Sequence, residues 1–96
     1  MKAIFTPTTG VIRVFESDDA EYGQKYKISL PTTLYEHGRV CYIEGLVGGM
    51  SLRAKSAIAK ELKRIGVRYA RWSHTNDHGH EVNACYDVQT GKVKYE

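Results

Sequence analysis

The chain has 96 residues, 42% of them apolar and 26% charged, with a formal charge of +3. At 10.9 kDa it has room for one domain with a modest core and a folded surface of ~5,600 Å² by size scaling. That composition excludes collagen-like, coiled-coil and disordered chains. No run reaches the ~20 apolar residues of a membrane-spanning helix, and no apolar stretch follows Met1-Lys2 to make a secretion signal.

Along the chain, Ile4–Glu16 suggests a short strand, a turn at Thr6–Gly10 and a longer strand through Val11-Ile12-Arg13-Val14-Phe15, together a hairpin. Asp18–Gln24 is polar and acidic, a loop. Tyr26–Leu30 alternates apolar and polar like a half-buried strand, and Pro31 is expected to end it. Thr32–Gly38 fits a helical turn or a bend equally well. Arg39–Val47, rich in β-branched and aromatic residues, reads as a central strand buried on both faces.

The spacing then predicts a helix over residues 51–65. Ser51 is a good N-cap, Ala54, Ile58, Leu62 and Ile65 form one apolar stripe, and Gly66 falls at the C′ position. Val67–Ser73 resumes strand character. A right-handed crossover through the helix makes it parallel to the central strand. Thr75–Gly79 is a turn cluster. Glu81–Val88 alternates, with Val82, Ala84, Tyr86 and Val88 on one face, and Gln89-Thr90-Gly91 turns the chain into Lys92–Tyr95. The sum is one α+β domain over residues 1–96: a mixed, mostly antiparallel sheet of about six strands with one dominant helix on a face.

Charge is uneven. Ser51–Arg71 holds Arg53, Lys55, Lys60, Lys63, Arg64, Arg68 and Arg71 against Glu61 alone, whereas Glu16, Asp18, Asp19 and Glu21 form an acidic cluster. Such asymmetry biases what approaches the surface, toward anionic ligands or acidic partners in particular. Cys41 and Cys85 have no zinc or CxxC spacing. With no secretion signal they read as reduced thiols of a cytoplasmic protein.

Four groups of residues could carry chemistry. Val47, Gly48, Gly49, Met50, Ser51, Leu52 and Arg53 join the central strand to the helix, where unpaired backbone N–H groups and the helix dipole favour an anion such as a phosphate. A plain strand-to-helix turn would need the same glycines, and the stretch is neither a P-loop nor GxGxxG. Glu44 is the one carboxylate near that junction and the candidate general base. Arg68, Arg71, Trp72 and His74, with Tyr69 and Tyr86 and the basic helix face of Lys60, Lys63 and Arg64, combine cations with aromatic rings, as single-strand nucleic-acid binding requires. A solvated helix face and a core tryptophan would look the same. His74, His78 and His80 lie within seven residues and form a weak alternative metal set, equally well three solvated side chains.

The order strand, glycine-rich turn, amphipathic helix, glycine, strand from Arg39 to Trp72 resembles the cofactor-binding centre of the GNAT-type N-acetyltransferases. It is similar in particular to small acetyltransferase-like proteins of bacteriophages. The resemblance covers about a third of the chain. Its turn, Glu44 to Gly49, lacks the Gln or Arg that the family carries there, and a hairpin follows where the family has a helix. The resemblance implies acetyl-CoA as cofactor, held at residues 47–53, N-acetyl transfer if the protein is active, and a host protein modified or occupied in the bacterial cytoplasm. A non-enzymatic interaction or inhibitor module, docking through the Glu16–Glu21 loop or an open sheet face, and a nucleic-acid-binding module are the alternatives. A homodimer is compatible with each.

Overall fold

A computed structural model describes residues 1–16, 27–45, 51–75 and 77–95. Within them the chain forms strands β1 (Thr9–Val14), β2 (Ile28–Tyr35), β3 (Val40–Ile43), β4 (Tyr69–Thr75), β5 (Glu81–Asp87) and β6 (Lys92–Tyr95), with helix α1 (Leu52–Arg64) between β3 and β4. The strands lie side by side in chain order in one sheet. All neighbours are antiparallel except β3 and β4, which are parallel and joined through α1. The α+β class, the mixed sheet and the single helix follow the sequence reading.

One face of the sheet carries the core. Ile12, Leu30, Cys41, Ile43 and Ala70 alternate onto that face, and α1 lays Ile58 and Leu62 against them. Leu62, 1% exposed, sits at the centre, and burying a leucine to this extent contributes ~1.5–3 kcal/mol. Helix α1 begins where the Ser51 side chain accepts a hydrogen bond from the Ala54 N–H at 3.1 Å. It ends in a Schellman motif, with the Val67 N–H donating to the Leu62 carbonyl, the Gly66 N–H to that of Lys63, and Gly66 at φ 84°.

Several expectations are corrected. No hairpin forms within Ile4–Glu16. Residues 1–8 are not strand, and β1, an edge strand, pairs instead with β2, from Thr9↔Thr33 to Val14↔Ile28. Pro31 does not end its strand. Its carbonyl accepts from the Glu44 N–H, so its missing N–H would point the same way, toward β3 just past the last register pair Thr32↔Ile43. The β1–β2 ladder therefore loses nothing by it.

The central strand is shorter than Arg39–Val47, and only Cys41 and Ile43 in it are fully buried, because nothing among the described residues covers the second face. Ile65 belongs to the helical stripe by spacing but is 45% exposed, because it is the C-cap residue and has left the helical path. Between β2 and β3, Glu36, His37 and Gly38 all take left-handed conformations (φ 51°, 59° and 83°), strained for the first two. The total accessible surface, 7732 Å², exceeds the ~5,600 Å² of a compact chain of this mass. The surplus shows in the exposed residues 1–8, in the exposed strand β6 and in the bare sheet face.

Candidate functional site

The site lies beside the parallel strand pair. β3 and β4 are in register at Val40↔Tyr69, Cys41↔Ala70 and Tyr42↔Arg71, and the pairing stops there. Each strand then stays with its outer neighbour. β3 follows β2, with the Glu44 N–H on the Pro31 carbonyl at 2.9 Å, and β4 follows β5 as far as Thr75↔Glu81. β3 ends at Ile43 whereas β4 runs on to Thr75, so among the described residues the backbone groups of Trp72 onward have no strand partner on the β3 side.

A cavity of ≈590 Å³ opens beside the end of β3. Ile43 and Trp72 line it there, Leu52, Lys55 and Ala59 form the helix side, and Tyr86 closes the sheet side. It lies where the covering by α1 thins out over the sheet: Ala84 of β5 is still buried and Tyr86 packs against the core, whereas β6 is exposed. The walls are mostly apolar with a few polar groups, and the volume lies within the range of small-molecule sites. His74, half-buried on β4, contributes an imidazole.

The residues singled out from sequence are distributed as follows. Val47, Gly48, Gly49 and Met50 lie outside the described residues, as do Asp18, Asp19 and Glu21. Ser51 caps α1, Leu52 is exposed and lines the cavity, and Arg53 is exposed with Nη1 3.9 Å from Glu16 Oε1. Glu16 also pairs with Lys27 at 2.8 Å, whose hydrogen bond and charge hold its carboxyl below the ordinary value. Glu44 is exposed and is not among the described residues that line the cavity.

Lys60, Lys63 and Arg64 occupy the outer face of α1, with Arg64 paired to Glu61. Arg71 projects from the opposite face of the sheet, whereas Trp72 turns into the cavity. These cations and the ring therefore do not converge on one surface. His74 lies in the cavity while His78 and His80 are exposed in the turn before β5, and no group of three metal-ligating side chains forms among the described residues. Cys41 and Cys85 are free thiols. Burial pushes the Cys41 thiol up, partly offset by a hydrogen bond from Thr32.

Tyr86, Ala59 and His74 as cavity residues escaped the sequence reading. The alternation of β5 placed Tyr86 on the covered face, and there it packs against the edge of the core, half-buried and open to the cavity.

Arg68 has a structural task. Its Nε and Nη2 donate to Asp87 Oδ1 and Oδ2 at 3.1 and 3.3 Å, and Asp87 Oδ1 also accepts from the backbone N–H groups of Gln89 and Thr90, organising the β5–β6 turn. The Arg68 hydrogen bonds, then those of Thr90 and Gln89, hold the Asp87 carboxyl below the ordinary value. A carboxyl depressed in the folded state stabilises the fold above its unfolded pKa, and that contribution disappears as pH falls through the folded value. Urea midpoints of the natural chain should therefore fall below about pH 4, and Asp87→Asn should flatten part of the decline. Identical pH profiles for the two proteins would contradict this role.

No family model matches the chain, and neither does any curated protein or solved structure among those compared. No helix among the described residues is long and apolar enough to cross a membrane.

Proposed function

We propose that this chain is a small acetyltransferase-like protein that takes the acyl-bearing arm of acetyl-CoA between β3 and β4. The observation that carries the reading is that pairing in the only parallel strand pair among the described residues ends after Tyr42↔Arg71, where β3 stops and β4 runs on past a cavity beside a capped helix. A pantetheine arm is long, narrow and largely apolar, with amide groups that can pair with strand edges. The cavity offers apolar walls at Ile43, Leu52 and Trp72 and strand backbone left without a neighbour. The anionic end of the cofactor would lie toward the positive end of the α1 dipole, with Lys55 and Arg53 as nearby cations. On donor chemistry and shape the described residues fit the group.

When bound, acetyl-CoA supplies an activated thioester carbonyl. The chain's own residues would position an amine and remove its proton. His74 is the imidazole facing the cavity and takes that role in place of Glu44, which lies outside the lining. Leu52 and Trp72 exclude water from the walls. The acceptor amine belongs to a host protein in this reading, and the protein works in the bacterial cytoplasm.

Trp72 is the only tryptophan of the chain, so its fluorescence reports directly on the cavity. Acetyl-CoA should change that emission saturably, with a matching calorimetric heat. His74→Ala should keep the binding while lowering any acetyl transfer to amine substrates by ~10²–10⁴-fold, the usual contribution of a general base. Neither heat nor fluorescence change at millimolar cofactor would reject the reading.

A further inference from the structure

The second face of the sheet has its own organisation. Alternation places Tyr35 of β2, Tyr42 of β3, and Tyr69 and Arg71 of β4 there, around Val40. Val40 is in register with both Tyr35 and Tyr69, while Tyr42 lies one step along beside Arg71. The three rings thus form a staircase across three adjacent strands, and Tyr35, Glu36, Val40, Tyr42 and Arg71 enclose a shallow hollow of ≈510 Å³, with the Glu36 carboxylate at its β2 end. Tyr35 is 54% and Tyr69 38% exposed, on a face that no helix among the described residues covers.

Two of the rings are held in place. Tyr42 Oη donates to Ser73 Oγ at 3.2 Å, and Ser73 Oγ donates in turn to Asn83 Oδ1 at 2.7 Å. The Arg68 guanidinium, fixed by Asp87, sits 5.2 Å from the centroid of the Tyr69 ring. Cations flank the platform. Arg71, Cys85 and Lys94 are direct cross-strand neighbours, Lys92 lies on the same face of β6, and no acidic side chain among the described residues pairs with Arg71. Of the carboxylates on this face, Asp87 is engaged by Arg68, Glu36 borders the hollow on the side away from Lys94, and Glu81 lies at the far end of β5.

Pre-oriented, exposed rings bordered by uncommitted positive charge suit a ligand with flat apolar surfaces strung on an anionic backbone. We propose that this face binds single-stranded nucleic acid, with bases stacked on Tyr35, Tyr42 and Tyr69 and phosphates held by Arg71 and Lys94. It is a site separate from the cavity, on the other side of the sheet. The basic residues of α1 take no part. A duplex keeps its bases stacked on one another and cannot use the rings.

The test is fluorescence anisotropy of the whole chain with labelled thymidine and uridine oligonucleotides of about 12 residues. Single strands should bind at least ~10-fold more tightly than a duplex of the same length, the strand-versus-duplex gap that loss of one or two stacked bases implies. Two to three phosphate contacts give a slope of log K against log salt of about −1.4 to −2.1. Tyr35→Ala and Tyr69→Ala change exposed rings, and each should weaken binding by roughly 5- to 150-fold, without altering the acetyl-CoA response of Trp72. The triple variant Lys60→Ala, Lys63→Ala, Arg64→Ala should stay within about twofold. Absence of binding at about 100 µM protein in low salt would overturn the proposal. So would loss of binding in the helix triple variant with none in the tyrosine variants, or equal affinity for the duplex.

Discussion

Leu62→Ala should lower the unfolding free energy by ~2–5 kcal/mol, the range for truncating a buried leucine. Leu62 is 1% exposed and packs among Ile12, Leu30, Cys41, Ile43 and Ile58, and the rigid sheet beneath it leaves little scope for collapse into the gap. A domain of this size has ~5–15 kcal/mol in all, and the large exposed surface argues for the lower part of that range. A loss of ~3 kcal/mol corresponds to a drop in Tm of ~12–24 °C. Ile65→Ala is the informative comparison. It lies on the same stripe by spacing but is 45% exposed, so it should change stability by no more than ~0.5 kcal/mol. Urea unfolding of both variants decides the matter. Equal losses would mean that α1 continues into Ile65 and packs differently from the arrangement described above.

Ala59→Trp should close the cavity without unfolding the protein. Ala59 is half-buried on the flank of α1 that faces Trp72 and Tyr86, where empty volume, and not a packed neighbour, awaits a larger side chain. The indole would displace about four methylene groups' worth of ligand burial, ~3 kcal/mol at ~0.8 kcal/mol per methylene, which is a ~100-fold loss of acetyl-CoA affinity. Stability should be unchanged or higher. Nucleic-acid binding by the opposite face should persist, and this separates the two sites. Calorimetry on the natural and variant chains, with circular dichroism as the folding control, measures all three. Undiminished acetyl-CoA binding in the variant would place the ligand elsewhere.

What the sequence disclosed was the local chemistry, and what it hid was long-range pairing. Ser51, the Ala54–Ile58–Leu62 stripe and Gly66 announced α1 because capping and helical periodicity are written within a dozen residues. The parallel pairing of β3 with β4 followed from the short links around that helix. Pro31 misled, because whether a missing N–H matters depends on which neighbour it faces, and that neighbour lies thirteen residues away at Glu44. Trp72 and Arg71 are adjacent in the chain yet serve opposite faces of the sheet, so a basic-aromatic cluster in sequence became two separate surfaces. The cavity was invisible for the same reason. It is defined by where α1 stops covering the sheet, a property of packing and not of any motif. Tyr35 and Tyr42 drew no attention because neither stands beside a cation in the chain. Arg71 reaches them only through the register of β2, β3 and β4.

The most direct measurement is chemical-shift mapping of the labelled protein during titration with acetyl-CoA. If the cleft beside the end of β3 is the cofactor's seat, the backbone amides of Ile43, Leu52, Trp72 and His74 shift together and saturate, while the ring signals of Tyr35, Tyr42 and Tyr69, whose side chains lie on the far side, move least. Shifts concentrated on the far side, or none at saturating cofactor, would contradict the assignment of this cleft.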